Sequence, residues 1–330
     1  MPLMSIKQVR GGEELQGDVN ALLSIIGKDK EAFFNEILNW LLSEAPQDFN
    51  PEIFKSSKLA MLVSSAMNAN NEPDAPSKTP YLSFIEENGE TFSLKGGGDG
   101  EGSMEYSTDT KNWSIYPYDG SSVNSSDDGK LYLRGTGNTI ISAMFDSFVI
   151  TPNKRVQCIG NIENLLDYAT VAAGNHPAMG RSCYNGLFSD CTSLTVAPEL
   201  PATILTNNCY NQMFQGCTSL TVAPELPAMT LDFGCYNFMF QGCTSLITAP
   251  ELPATTLAGS CYRRMFNGCS ALTKATTNLP ATTLQDNCYD SMFLDCNSFT
   301  DAIHFPASLT TSDRDYISQS SWVPSAVYDL

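Results

Sequence analysis

Positive charge and histidine are scarce in this chain: 18 Lys and Arg stand against 36 Asp and Glu, with 2 His among 330 residues. A surface that tracks phosphates needs clustered Lys and Arg. The sequence offers no such cluster, so nucleic acid and anionic membrane are not expected partners. The formal net charge of −18 is spread along the chain and favours solubility at high local concentration. Long apolar runs are also lacking. None approaches the ~18 residues of a membrane span. The opening MPLMSIKQVRGGEELQG has no apolar core followed by a small-residue cleavage site. The expectation is folding in a cytosol without membrane insertion. An enzyme would need a convergent acid, base or nucleophile. His176 and His304 both fall outside the regular part of the sequence, so a non-enzymatic protein without cofactor is expected.

Cysteine, by contrast, is plentiful, and 10 of the 11 follow one rule. Cys-Tyr recurs at Cys183-Tyr184, Cys209-Tyr210, Cys235-Tyr236, Cys261-Tyr262 and Cys288-Tyr289, in steps of 26, 26, 26 and 27. A second cysteine follows each eight residues on, at Cys191, Cys217, Cys243, Cys269 and Cys296; Cys158 stands apart. A fixed period in the twenties is the mark of a stacked repeat, and five copies exceed the minimum of about three. The C-x7-C spacing fits no metal-ligand pattern, and no base recurs with the thiols. Buried, reduced cysteines stacked in a ladder are therefore expected. Asp119, Asp127 and Asp128 read as exposed turn acids rather than a calcium site, and no metal is expected.

Within one unit, CYNQMFQGCTSLTVAPELPAMTLDFG, Cys209, Met213, Phe214 and Cys217 sit at i, i+4, i+5 and i+8. That spacing predicts one face of a short helical segment, with Phe240 and Phe266 as the counterparts of Phe214. Gly216, Gly242 and Gly268 are placed to end it in the left-handed conformation. Leu220, Ala223 and Leu226 follow in an extended stretch that Pro224 and Pro227 keep short.

The units CYNQMFQGCTSLTVAPELPAMTL and CYRRMFNGCSALTKATTNLPATTL resemble the BspA-like leucine-rich repeats, found in surface proteins of gut Bacteroides-type bacteria and in virion proteins of their phages. Upstream, MEYSTDTKNWSIYPYDGSSV, KLYLRGTGN and GNIENLLDYATV look like the β-module that often precedes such repeats, so the resemblance covers about residues 80–310. It implies adhesion or recognition and offers no catalytic residues to carry over. Two features depart from the family's pattern. ATTNLP replaces APELP in 275–280, and Phe299 and Phe305 stand at leucine positions in the last unit. Terminal units are expected to be atypical because they cap a stack.

Residues 1–70 read as helical. Leu15, Val19, Leu22 and Ile26 form a short heptad-like stripe, Phe33 to Leu41 make a wide apolar face, and Asn50-Pro51 starts a further helix. The segment is too small to bury that face alone, which predicts a homo-oligomer, a trimer before a dimer. Residues 66–80 have linker composition. Short alternating runs in 81–158 (YLSF, TFSL, SMEY, KLYLR, MFDSFVI), parted by turn residues, predict a small β-sandwich. GGGDGEG at 96–102 reads as a loop, and Asn161 as the cap of a helix over 162–170 that seals the repeats.

The expected fold class is multidomain α+β. It comprises an N-terminal helical anchoring segment (1–70), a linker (71–80) and a small antiparallel β-sandwich (81–160). A cap (161–182), a five-unit leucine-rich-repeat solenoid (183–309) and a C-terminal cap (310–330) follow. Any recognition surface should lie where the units differ. The pairs after Cys-Tyr are Asn185-Gly186, Asn211-Gln212, Asn237-Phe238, Arg263-Arg264 and Asp290-Ser291. The functional expectation is a phage virion fibre or appendage, assembled in the host cytoplasm. Residues 1–70 would hold other virion proteins, and the repeats a host surface protein, glycan or mucus. A bacterial cell-surface adhesin is the alternative.

Overall fold

The computed structural model describes residues 79–96, 102–117, 119–141, 147–274, 279–299, 303–304, 306 and 328–329. The expected N-terminal helices and oligomerisation segment (1–70) and most of the linker and C-terminal cap lie outside the described residues.

The described elements are β1 (Leu82–Glu86), β2 (Ser93–Lys95), β3 (Ser103–Ser107), β4 (Ser114–Ile115), β5 (Val123–Asn124), β6 (Lys130–Thr136), β7 (Val149–Thr151), β8 (Val156–Ile159), α1 (Asn164–Ala172), β9 (Leu194–Val196), β10 (Ile303–His304) and β11 (Tyr328–Asp329). One six-stranded sheet runs β4-β3-β6-β1-β8-β9, a three-stranded sheet runs β5-β2-β7, and β10 pairs with β11. The alternation in KLYLRGT places Leu131, Leu133 and Gly135 in the core and leaves Tyr132 and Arg134 half-buried on the other face. A Cβ on Gly135 would fall 1.7 Å from the Leu165 carbonyl oxygen, so glycine is what lets α1 lie against β6. Arg134 fastens the same junction. Its guanidinium sits 4.0 Å from the Trp113 ring centroid and 4.5 Å from that of Tyr168, and its Nε donates to Glu105 at 2.8 Å.

From residue 182 the chain advances by turns. In the second unit the N–H groups of Asn211, Met213, Gln215 and Cys217 donate three residues back, to Asn208, Tyr210, Gln212 and Phe214. The alternate N–H groups, of Asn208, Tyr210, Gln212, Phe214 and Gly216, donate to the carbonyls of Phe233, Cys235, Asn237, Met239 and Gln241 in the next unit. Every backbone donor in this train therefore has an acceptor, half within the unit and half across the interface. The pattern recurs at each of the other junctions, from Ser182 to Asp190, Gly234 to Gly242 and Ser260 to Gly268. Every fourth residue is left-handed: Asn208, Gln212 and Gly216 have φ of 56°, 57° and 71°. Beyond β9, the described extended halves of successive units are joined by isolated parallel bridges, such as Val222 with Thr248 and Ile204 with Thr230.

Side chains stack in the same register. The Tyr184–Tyr210–Tyr236–Tyr262–Tyr289 rings lie 5.6, 5.9, 5.8 and 5.8 Å apart. The Phe188–Phe214–Phe240–Phe266–Phe293 rings lie 5.5, 5.6, 5.6 and 5.4 Å apart. All ten repeat cysteines are buried with free thiols, as is Cys158.

This architecture corrects the expected fold class. Regular structure in the described residues is mostly β, and α1 is the one helix among them. The short helical segments predicted for each repeat do not form, because a left-handed residue at every fourth position is incompatible with an α-helix. A leucine-rich-repeat solenoid of helical and strand segments is therefore not what the units build. They build a column of turns with single bridges beside it. The upstream module is not a closed antiparallel sandwich either. β8 pairs parallel with β9, which belongs to the first repeat, so the sheet is mixed and runs on into the units. α1 also starts later than expected. Asn161 Oδ1 accepts from the Glu163 N–H at 2.8 Å, ahead of the helix, while Asp167 sits at a kink within it and caps Thr170 at 2.8 Å.

The first unit is met by the module itself. Ile141 and Phe148 donate to the carbonyls of Cys183 and Leu187, the positions that receive Tyr and Phe donors at later junctions. Phe148 also continues the phenylalanine column, 5.5 Å from Phe188. The Tyr184 hydroxyl donates to the Ile162 carbonyl at 3.4 Å.

Candidate ligand-binding edge of the repeats

The turn train sets which side chains reach the surface. Its residues alternate two inward, two outward: Cys209-Tyr210 in, Asn211-Gln212 out, Met213-Phe214 in, Gln215-Gly216 out, Cys217 in. The outward pairs line up from unit to unit. Asn185, Asn211, Asn237, Arg263 and Asp290 form one column, and Gly186, Gln212, Phe238, Arg264 and Ser291 the next. Asn211, Gln212, Asn237, Phe238, Arg263, Arg264 and Asp290 are all half-buried along this edge.

Many of their polar atoms are engaged with one another. Asn211 Nδ2 donates to Asn185 Oδ1 at 3.0 Å. An amide row runs Gln212 to Gln215 at 2.9 Å, Gln215 to Gln241 at 2.6 Å, Gln241 to Asn267 at 2.7 Å and Asn267 to the Leu294 carbonyl at 3.0 Å. Such rows of stacked amides join repeats much as they join the layers of cross-β assemblies. The sequence pointed to the pairs after Cys-Tyr but missed Gln215, Gln241 and Asn267, whose signal was their own 26-residue spacing.

The fourth unit differs. Arg263 Nε donates to Asp290 at 3.0 Å. Arg263 and Arg264 both lie over the Phe238 ring, 5.5 and 5.7 Å from its centroid. Arg264 Nε is buried and has no hydrogen-bond partner. Gln212, Phe238 and Arg264 also occupy left-handed backbone, with φ of 57°, 57° and 51°. In the first unit that position is Gly186, which adopts φ 68° without steric cost.

The interior is chemically quiet. Burial pushes most of the thiols up, Cys191, Cys243, Cys261 and Cys296 to about 12. Cys217, Cys243, Cys269 and Cys296 donate to the carbonyls of Phe188, Phe214, Phe240 and Phe266 at 3.0, 3.1, 3.0 and 3.0 Å. Cys209 is the exception: hydrogen bonds from Cys183 and Thr206 bring it to about 7. Elsewhere, Glu163 is buried and contacts His176 Nδ1 at 2.8 Å; burial raises its carboxyl above the ordinary 4.5. No group of three or more potential metal ligands occurs among the described residues.

Comparison of the chain with family models, curated proteins and solved structures finds no match in any of the three.

Proposed function

We propose that this chain is a non-enzymatic display protein, a head or tail appendage of a Bacteroides-type phage virion, whose repeat edge adheres to a host surface. The observation that carries the reading is the division of labour within the turn train. Inward positions repeat Cys, Tyr, Phe and Cys with little change, whereas the outward pairs change character from amide to aromatic to cation to carboxylate. Four of the changed side chains, Gln212, Phe238, Arg264 and Ser291, sit on backbone that favours glycine. Variation is thus concentrated where it costs stability, as a recognition edge requires. The likeness of the units to BspA-like repeats supports the same reading.

Residues 1–70 would attach the chain to other virion proteins and assemble it as a homo-oligomer, a trimer before a dimer. Three measurements test the proposal. Labelled full-length protein should bind host cells, and Gln212, Phe238 and Arg264 all replaced by Gly should abolish binding without loss of fold. Mass spectrometry of purified particles should find the chain there; recovery from bacterial surfaces alone would transfer it to the cell-surface adhesins. Deletion of 1–76 should leave a monomer by light scattering.

A further inference from the structure

We infer that the Arg263–Arg264–Phe238 corner binds an acidic glycan, through one carboxylate or sulfate group on a sugar ring. This deepens the adhesion reading and rests on it. From Cys183 to Phe299 the only cations are Arg263, Arg264 and Lys274, against eight acidic residues, so the juxtaposition of two arginines stands out in its surroundings. Asp290 neutralises one of them, which leaves a local charge of about +1 (two guanidiniums less one carboxylate). Such a site suits one singly charged group.

Both guanidiniums rest on the Phe238 ring. That contact restricts both side chains, so less freedom remains to be lost when an oxyanion meets the Arg264 fork. Arg264 Nε is buried without a partner and gains one if an anion oxygen enters. Beside the corner runs the amide row of Gln212, Gln215, Gln241 and Asn267, neutral donors and acceptors of which the last three repeat once per unit. Hydroxyls along a polysaccharide match such a row. The protein's overall charge of −18 opposes a polyanion at long range. Recognition is therefore local and should appear at about 0.15 M salt, where the screening length is ~8 Å.

Titration calorimetry on the full chain at that salt tests the inference, with oligogalacturonate and a sulfated galactan oligosaccharide as probes and a neutral dextran oligosaccharide as control. At least one acidic probe should bind and the neutral one should not. Arg264→Gly should weaken binding at least tenfold while melting no earlier than the parent, because glycine suits φ 51°. Asp290→Asn, which frees Arg263, should tighten binding several-fold. Lys274→Ala should leave it unchanged. Equal binding of neutral and acidic probes, or unchanged binding in Arg264→Gly, overturns the inference. So does cell binding by the full chain with no affinity for either acidic probe, an outcome that leaves the adhesion reading standing. Absence of cell binding removes that reading instead.

Discussion

Single side chains carry two opposite lessons about the repeats. Phe240 is buried between Phe214 and Phe266, 5.6 Å from each. Phe240→Ala should cost about 3–5 kcal/mol and weaken two interfaces at once, read as a lower melting temperature. The hydroxyls of Tyr210, Tyr236 and Tyr262 are buried without a hydrogen-bond partner. A buried unsatisfied group costs about 1–3 kcal/mol, so Tyr236→Phe should raise stability by about 1 kcal/mol in a denaturant titration, with the ring column intact. The cysteines were legible from spacing alone, since ten thiols at two fixed positions have no partner chemistry and must pack. Their carbonyl hydrogen bonds were not legible, because they join residues 29 or 30 apart. In native protein none of the thiols should react quickly with an alkylating reagent, and all 11 should react after unfolding. Several native disulfides would contradict the column.

Among the elements, the turn train shows how a correct spacing leads to a wrong element. Inward residues at i, i+4, i+5 and i+8 suit a 3.6-residue helix, but a strict two-in, two-out rhythm has a period of four. The discriminating signal lay in the residues preceding each inward pair. Ser182, Asn208, Gly234, Ser260 and Asn287 are all turn formers, and all have positive φ. Gly242 tests the point. Its φ is 73°, and an added Cβ would meet only Gly216, at an ordinary 3.8 Å. Gly242→Ala should therefore cost only the backbone term, about 1–2 kcal/mol. Where α1 begins, Glu163 predicts a pH effect of definite sign. Burial raises its carboxyl, so the folded chain holds that proton more tightly than the unfolded one. The resulting stability is present below the ordinary 4.5 and lost as pH rises through the raised value. Asp167 acts oppositely: backbone hydrogen bonds from Thr170 and Gly137 lower it, and its contribution is lost as pH falls below the ordinary 3.8. Glu163→Gln should flatten the weakly acidic limb of a melting-temperature profile; an unaltered limb would rule Glu163 out as its source.

At the scale of the whole molecule, the period revealed the number of repeats, but pairing between β8 and β9 could not be read because it joins residues nearly 40 apart. The same is true of the module's contact with the first unit, where Ile141 and Phe148 imitate a repeat without its motif. Within the turn train the backbone bonds between successive units run one way, with donors on the earlier unit and acceptors on the later one, while bonds such as Met229 N–H to Thr203 O and Ile247 N–H to Thr221 O return from the extended halves. Because each junction presents the same donors to the same acceptors, copy number is free to change while both ends remain as they are. A tandem duplication in the gene, in frame and 26 codons long, would insert a unit that finds its sockets already made. A chain carrying a second copy of residues 209–234 should fold and melt no lower than the parent. Reach, measured in whole units, is then the trait most readily altered by recombination, and relatives of this chain should differ in length by multiples of that step.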